Sequence, residues 1–139
     1  MHWAEKALIW LLRGSAFLVL TALIPVVMPY EWMDAIHGRL GLGELPRAPI
    51  VGYLARSCSA LYAYHGGLVL FVSFDVRRYL PVIRCLGWLA VAFGAVVLGI
   101  DWAVGLPLYW IVGEGPFVMA LGAVILWFAR RTESQGGVS

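Results

Sequence analysis

Four long apolar runs, at about 8–28, 50–74, 81–104 and 107–129, alternate with shorter polar stretches along the chain. A hydrocarbon core of about 30 Å takes about 20 helical residues, so each run is long enough to span it. A helix is also the one single-segment structure that satisfies its own backbone in lipid. The pattern predicts an all-α membrane protein: a four-transmembrane-helix bundle in one domain over residues 1–131. The polar, glycine-containing residues 132–139 read as a disordered cytoplasmic tail. The first run is too long for a leader, contains Arg13 and ends Val26-Val27-Met28-Pro29 without a small-residue cleavage pattern, so it reads as a retained span.

Residues 29–49 form the one long stretch outside the spans. Within it Trp32, Met33, Ile36 and Leu40 recur at helical spacing, while Glu31, Asp34 and His37 point elsewhere. This predicts a short interfacial helix between spans one and two, of about two to three turns, with Trp32 at headgroup level. Gly38, Gly41 and Gly43, then Pro46 and Pro49, stop the helix and shape the return to span two.

Composition agrees with the pattern. Of the 139 residues, 62% are hydrophobic and 13% charged, against about 25% charged in a soluble domain; the mean hydropathy is +0.85. The net charge of +2 matters less than its placement. Lys6, Arg13, Arg77, Arg78, Arg84, Arg130 and Arg131 fall on one side of the predicted bundle, and Arg39, Arg47 and Arg56 on the other. The excess of basic residues faces the cytoplasm, which predicts a multi-pass inner-membrane protein with both termini cytoplasmic. Glu31, Asp34, Glu44, Asp101 and Glu114 then make the outer half the acidic half. Seven tryptophans and six tyrosines gather near the span ends as an aromatic belt.

Several chemistries are excluded. No basic tract is interleaved with aromatics, so nucleic acid binding has no basis. No nucleophile elbow, P-loop, HExxH or dinucleotide glycine motif is present, so no catalytic residue is assigned. Cys58 and Cys85 lie toward opposite membrane surfaces, which leaves them unbridged, and they have no CxxC spacing. Three scattered histidines form no metal site.

What stands out is a run of ionisable and polar residues inside span two, from Arg56 to Gly67. Ionisable groups within a span are functional-site candidates. On a helical wheel Ser59, Ala60, Ala63 and Gly67 fall within about 60° of Arg56, a small-residue stripe suited to helix packing. Span three repeats this with Gly87, Ala90 and Gly94 below Asp101. Arg56 lies seven residues after Pro49 and Glu114 seven after Pro107, at similar depth. These spacings predict a cluster of Arg56, Asp101 and Glu114, with Tyr62 as a hydroxyl neighbour, near the outer surface. The cluster serves either as an ion-pair clasp that fixes helix register or as a site for a proton, a cation or a polar headgroup. His65 lies on the opposite face of span two, where it either contacts a partner or a second copy, holds a porphyrin or quinone, or bonds a helical carbonyl.

Arg56, Tyr62, Gly66-Gly67-Leu68, Asp101 at the end of span three and an acid opening span four resemble the DoxX-like superfamily of small four-helix bacterial membrane proteins. The resemblance implies an inner-membrane bundle with a polar pocket at Arg56, Tyr62, Gly66, Gly67, Asp101 and Glu114. One branch of that superfamily is associated with thiosulfate:quinone oxidoreductase as a membrane subunit. The 29–49 linker is longer than its compact connections. The expected function is a non-catalytic accessory subunit or small-ligand-binding bundle without a cofactor, with the bilayer and other membrane subunits, or itself, as partners. The alternatives are a quinone-binding subunit of a redox complex and a proton-coupled small transporter acting as a homo-oligomer.

Overall fold

A computed structural model describes residues 2–134, and among these every regular element is a helix. In chain order they are α1 (Trp3–Leu20), α2 (Leu23–Val27), α3 (Tyr30–Arg39), α4 (Pro49–Val72), α5 (Leu80–Val104), α6 (Leu108–Gly113) and α7 (Gly115–Ser134). The described residues divide into two compact units, one formed by residues 2–13 with 71–134 and the other by Gly14–Leu70.

Prolines set most of the boundaries. Pro25 has no N–H for the carbonyl four residues back, and its ring crowds that carbonyl. The first apolar run therefore breaks into α1 and α2 at Thr21–Ala22. Pro29 forces Met28 into the extended region (φ −66°, ψ 136°), which ends α2. Pro116 does the same to the last run, which breaks at Glu114 between α6 and α7. Gly105, at φ 76°, closes α5: its N–H bonds Trp102 O and that of Leu106 bonds Asp101 O.

Three stretches are long and apolar enough to cross a membrane: Trp3–Val27, Leu80–Val104 and Leu108–Ser134. The sequence pattern led us to expect four. At 24 residues α4 has the length, but Arg56, Ser57, Ser59 and His65 dilute its hydropathy and leave it outside that group. Of the tail expected from residue 132, residues 132–134 instead belong to α7, which continues through Ser134. Thr132 is buried and bonds the Phe128 carbonyl, and Glu133 meets Arg84. The expected tail positions 135–139 lie outside the described residues.

In the first unit α5 and α7 pack antiparallel through glycines in reciprocal pairs. A Cβ built on Gly94 would sit 2.6 Å from Gly115 O, and one on Gly115 would sit 2.7 Å from Gly94 O. Seven residues along each helix the contact repeats: a Cβ on Gly122 would lie 2.7 Å from Gly87 O and 3.0 Å from the Ala90 Cβ. The backbones touch because no side chain separates them, the arrangement small residues permit in lipid. Below these rungs Leu8, Leu12, Val72, Val76, Ile83 and Ala129 are buried apolar residues of the core. In the second unit α4 closes on the end of α1 at Gly66, where a Cβ would lie 3.2 Å from Ala16 O.

Adding a methyl at a rung should separate α5 from α7, whereas Gly99, with nothing within 4 Å, tolerates one. We expect Gly94→Ala to lose about 1–3 kcal/mol of stability and Gly99→Ala to unfold like the parent protein. Thermal unfolding in detergent, followed by circular dichroism, measures both. Equal midpoints for the two variants would remove the glycine rungs as a determinant of the fold.

Candidate functional site

The polar residues of the second unit converge at the start of α4. The 10-residue α3 turns Trp32 and Ile36 outward, 65% and 46% exposed. Its polar side is occupied in holding the loop that follows. Asp34 Oδ1 accepts the Leu45 N–H at 2.8 Å. His37 Nδ1 lies 2.9 Å from Gly43 O, and since a carbonyl can only accept, this nitrogen carries the proton. The Tyr30 hydroxyl donates to Leu45 O. Partial burial, helped by the Asp34 charge and opposed by Arg47, pushes the Tyr30 phenol above its ordinary value, so it remains a neutral donor. The Arg47 guanidinium stands 5.3 Å over the Tyr30 ring.

Arg56 completes this end. Its guanidinium reaches back along α4 over Gly52, where a Cβ would lie 3.0 Å from Nη1. Nη2 donates to Met28 O at 3.1 Å. Met28 ends α2, so the cation sits where a helix leaves unpaired carbonyls and partial negative charge. Tyr30, Glu31, Arg47, Pro49, Gly52, Tyr53 and Arg56 line an open cleft of ≈ 360 Å³.

The cluster expected from the sequence draws on both units, and each member has its own surroundings. Arg56 belongs to the cleft just described, and Tyr62 lies exposed two turns further along α4. Asp101, in the last turn of α5, is 5% exposed, and its Oδ2 has no hydrogen-bond partner among the described residues. It follows Gly87 and Gly94 at seven-residue intervals, on the face that packs on α7. Glu114 occupies the break between α6 and α7 and accepts a hydrogen bond from Trp110 Nε1.

Among the small residues marked for packing, Ala63 is buried and Ser59 half-buried, while Gly67 is exposed with nothing within 4 Å. The close approach is made by its neighbour Gly66, one residue and 100° away on the helix. Gly87, Ala90 and Gly94 all lie against α7. His65 is exposed.

Sequence reasoning missed two features. One is the contribution of Tyr30, Arg47, Gly52 and Tyr53 to the cleft; the two prolines around Arg47 were the available sign that the chain turns back there. The other is an ion pair at the far end of the first unit. Glu5, 8% exposed, receives Arg77 Nη2 at 2.8 Å and Nε at 3.1 Å on the same oxygen. That hydrogen bond and the Glu5 charge push the Arg77 guanidinium above its ordinary value. Nearby, Arg13 Nε donates to Ser73 Oγ at 3.4 Å and its guanidinium stands 5.5 Å over the Phe74 ring. Arg84 meets Glu133 at 3.1 Å, and Trp3 lies 6.1 Å from Trp127. The start of α1, the turn after α4, the base of α5 and the end of α7 therefore share one end of this unit.

No protein-family model, curated protein or solved structure matches the chain.

Removing Arg77 leaves the Glu5 carboxylate buried without its cation, the costly way to break a pair. We expect Arg77→Gln to lower the unfolding temperature, and Glu5→Gln/Arg77→Gln to recover part of the loss because the stranded charge is gone. A double variant no more stable than Arg77→Gln would mean that the pair does not couple the two segments.

Proposed function

We propose that this chain is a four-span bacterial inner-membrane protein that acts as a non-catalytic small-ligand-binding bundle, with its site at the outer end of α4. The observation that carries this reading is the cleft of Tyr30, Arg47, Gly52, Tyr53 and Arg56. It combines two cations, aromatic walls and an open mouth at a helix that runs on into apolar sequence. A pocket with few polar groups over apolar surface is the usual form of a small-molecule site.

In this reading α4 is the fourth span. Its 24 residues extend about 36 Å at 1.5 Å per residue. A charged residue at mid-span costs roughly 2.5–3.5 kcal/mol, but Arg56 directs its guanidinium toward the α4 N-terminus, the direction of escape from lipid. The outward Trp32 and Ile36 of α3 suit a helix lying in the interface. The basic residues gathered at one end of the first unit, Arg13, Arg77 and Arg84, support cytoplasmic termini. The four-span outline also accords with the DoxX-like resemblance. Exposed His65 is where a second membrane subunit or a second copy would dock.

Two experiments test the reading. A reporter active only outside the cytoplasm should be silent when fused to the C-terminus and active when inserted in the 40–48 loop; activity at the C-terminus would overturn the topology. Protein purified in mild detergent, extracted and analysed by mass spectrometry should carry about one small amphiphile per chain, one to each cleft. Gly52→Leu should deplete that amphiphile, since the added side chain displaces a flexible guanidinium rather than backbone. A parent protein free of any bound amphiphile would end the ligand-binding reading, and a stoichiometric quinone would move it to a redox subunit.

A further inference from the structure

Resting on that reading, we infer that the cleft takes the headgroup of a zwitterionic phospholipid-like amphiphile, a phosphodiester next to a primary ammonium. The lining carries three formal charges: the guanidinium groups of Arg47 and Arg56 and the carboxylate of Glu31. A neutral headgroup would leave all three unmatched. A purely anionic one would answer the arginines and set a like charge against Glu31. A phosphodiester with an attached ammonium matches both signs.

The donors are available and held in place. A guanidinium has five N–H donors in a planar fork suited to phosphate oxygens. Among the described residues Arg56 meets one acceptor, Met28 O, which fixes its position. The Arg47 guanidinium stands 5.3 Å over the Tyr30 ring, a cation–π contact that uses none of its N–H donors. Tyr30 is in turn anchored by its bond to Leu45 O. Gly52 supplies the room, because any side chain there would meet Arg56 Nη1. The remaining acids of this end are engaged or outside the lining: Asp34 accepts the Leu45 N–H, and Glu44 lies exposed on the loop. The second tyrosine of the lining, Tyr53, offers an aromatic ring to an ammonium as well.

The surface of α4 beside the cleft suits the rest of such a molecule. Tyr53, which lines the cleft, and Tyr64 are 65% and 74% exposed, and with exposed Ala60 between them they lie within about 40° of one another and about 40–80° from Arg56 on α4. They form a largely apolar track leading away from the charged mouth, on which acyl chains would lie.

The test offers detergent-purified protein an equimolar mixture of phosphatidylethanolamine, phosphatidylglycerol and phosphatidylcholine, and reads retained lipid by native mass spectrometry. Soluble phosphoethanolamine and inorganic phosphate are tried separately as competitors. Phosphatidylethanolamine should be retained over the other two by about tenfold, the scale of one or two charge-assisted hydrogen bonds. Arg47→Gln and Arg56→Gln should each reduce retention of every phospholipid, and Glu31→Gln should shift preference toward phosphatidylglycerol without loss of total binding. Competition by soluble phosphoethanolamine would show that the headgroup alone is the ligand; its failure to compete would show that the acyl chains are required. A preference for phosphatidylglycerol in the parent protein, or retention unchanged in both arginine variants, overturns the inference. If the parent protein retains a neutral amphiphile instead, the cleft remains a binding site and the headgroup assignment falls. If it retains nothing, both readings fall.

Discussion

Helices in lipid gain little from burying apolar side chains against one another, since the tails around them are equally apolar, and they associate through close packing. The structure meets this constraint with glycine. In one unit Gly94 and Gly115, and two turns below them Gly87 and Gly122, bring α5 and α7 into backbone contact. In the other, Gly66 lets α4 settle on the end of α1. At the two α5–α7 rungs a Cβ would lie under 3.0 Å from main-chain atoms that cannot swing aside. The angle and register of α7 against α5 follow from those contacts.

Charge is handled locally, and differently at each place. Arg77 neutralises a buried glutamate. Arg13 takes a serine hydroxyl and an aromatic face. Arg56 caps the carbonyl end of α2, which explains how an arginine seven residues into a long helix is tolerated before any ligand is invoked. The cap uses a single donor of five, so it is compatible with the ligand role proposed for the same side chain. The loop after α3 adds the walls, pinned by Asp34, His37 and Tyr30 so that Arg47 returns to the mouth of α4.

Asp101 is the counterpart in the first unit. A carboxylate oxygen buried without a partner is costly, and the seven-residue spacing from Gly87 through Gly94 to Asp101 places it on the helix-packing face. The same spacing that makes a packing stripe thus carries a carboxyl group inward at the C-terminal end of α5.

Much of this was legible in the chain. Hydrophobic run length and the proline positions determined that the protein is helical, where the helices stand and where the amphipathic α3 lies, because these depend on local backbone chemistry and on the length of apolar sequence. The small-residue stripe on α5 was equally readable, since a 3.6-residue period is enough to assemble Gly87, Ala90 and Gly94. The tertiary structure decided what could not be local. It selected Gly66 over Gly67, a difference of 100° that only the position of α1 settles. It broke the first and last runs, where a proline's effect depends on whether packing straightens or accepts the kink. It turned Arg56 toward Met28 O and Gly52, and it joined Glu5 to Arg77 across 72 residues. A sequence shows which side chains are charged and how deep they lie; which acceptor each one meets is fixed by the packing of helices far apart in the chain.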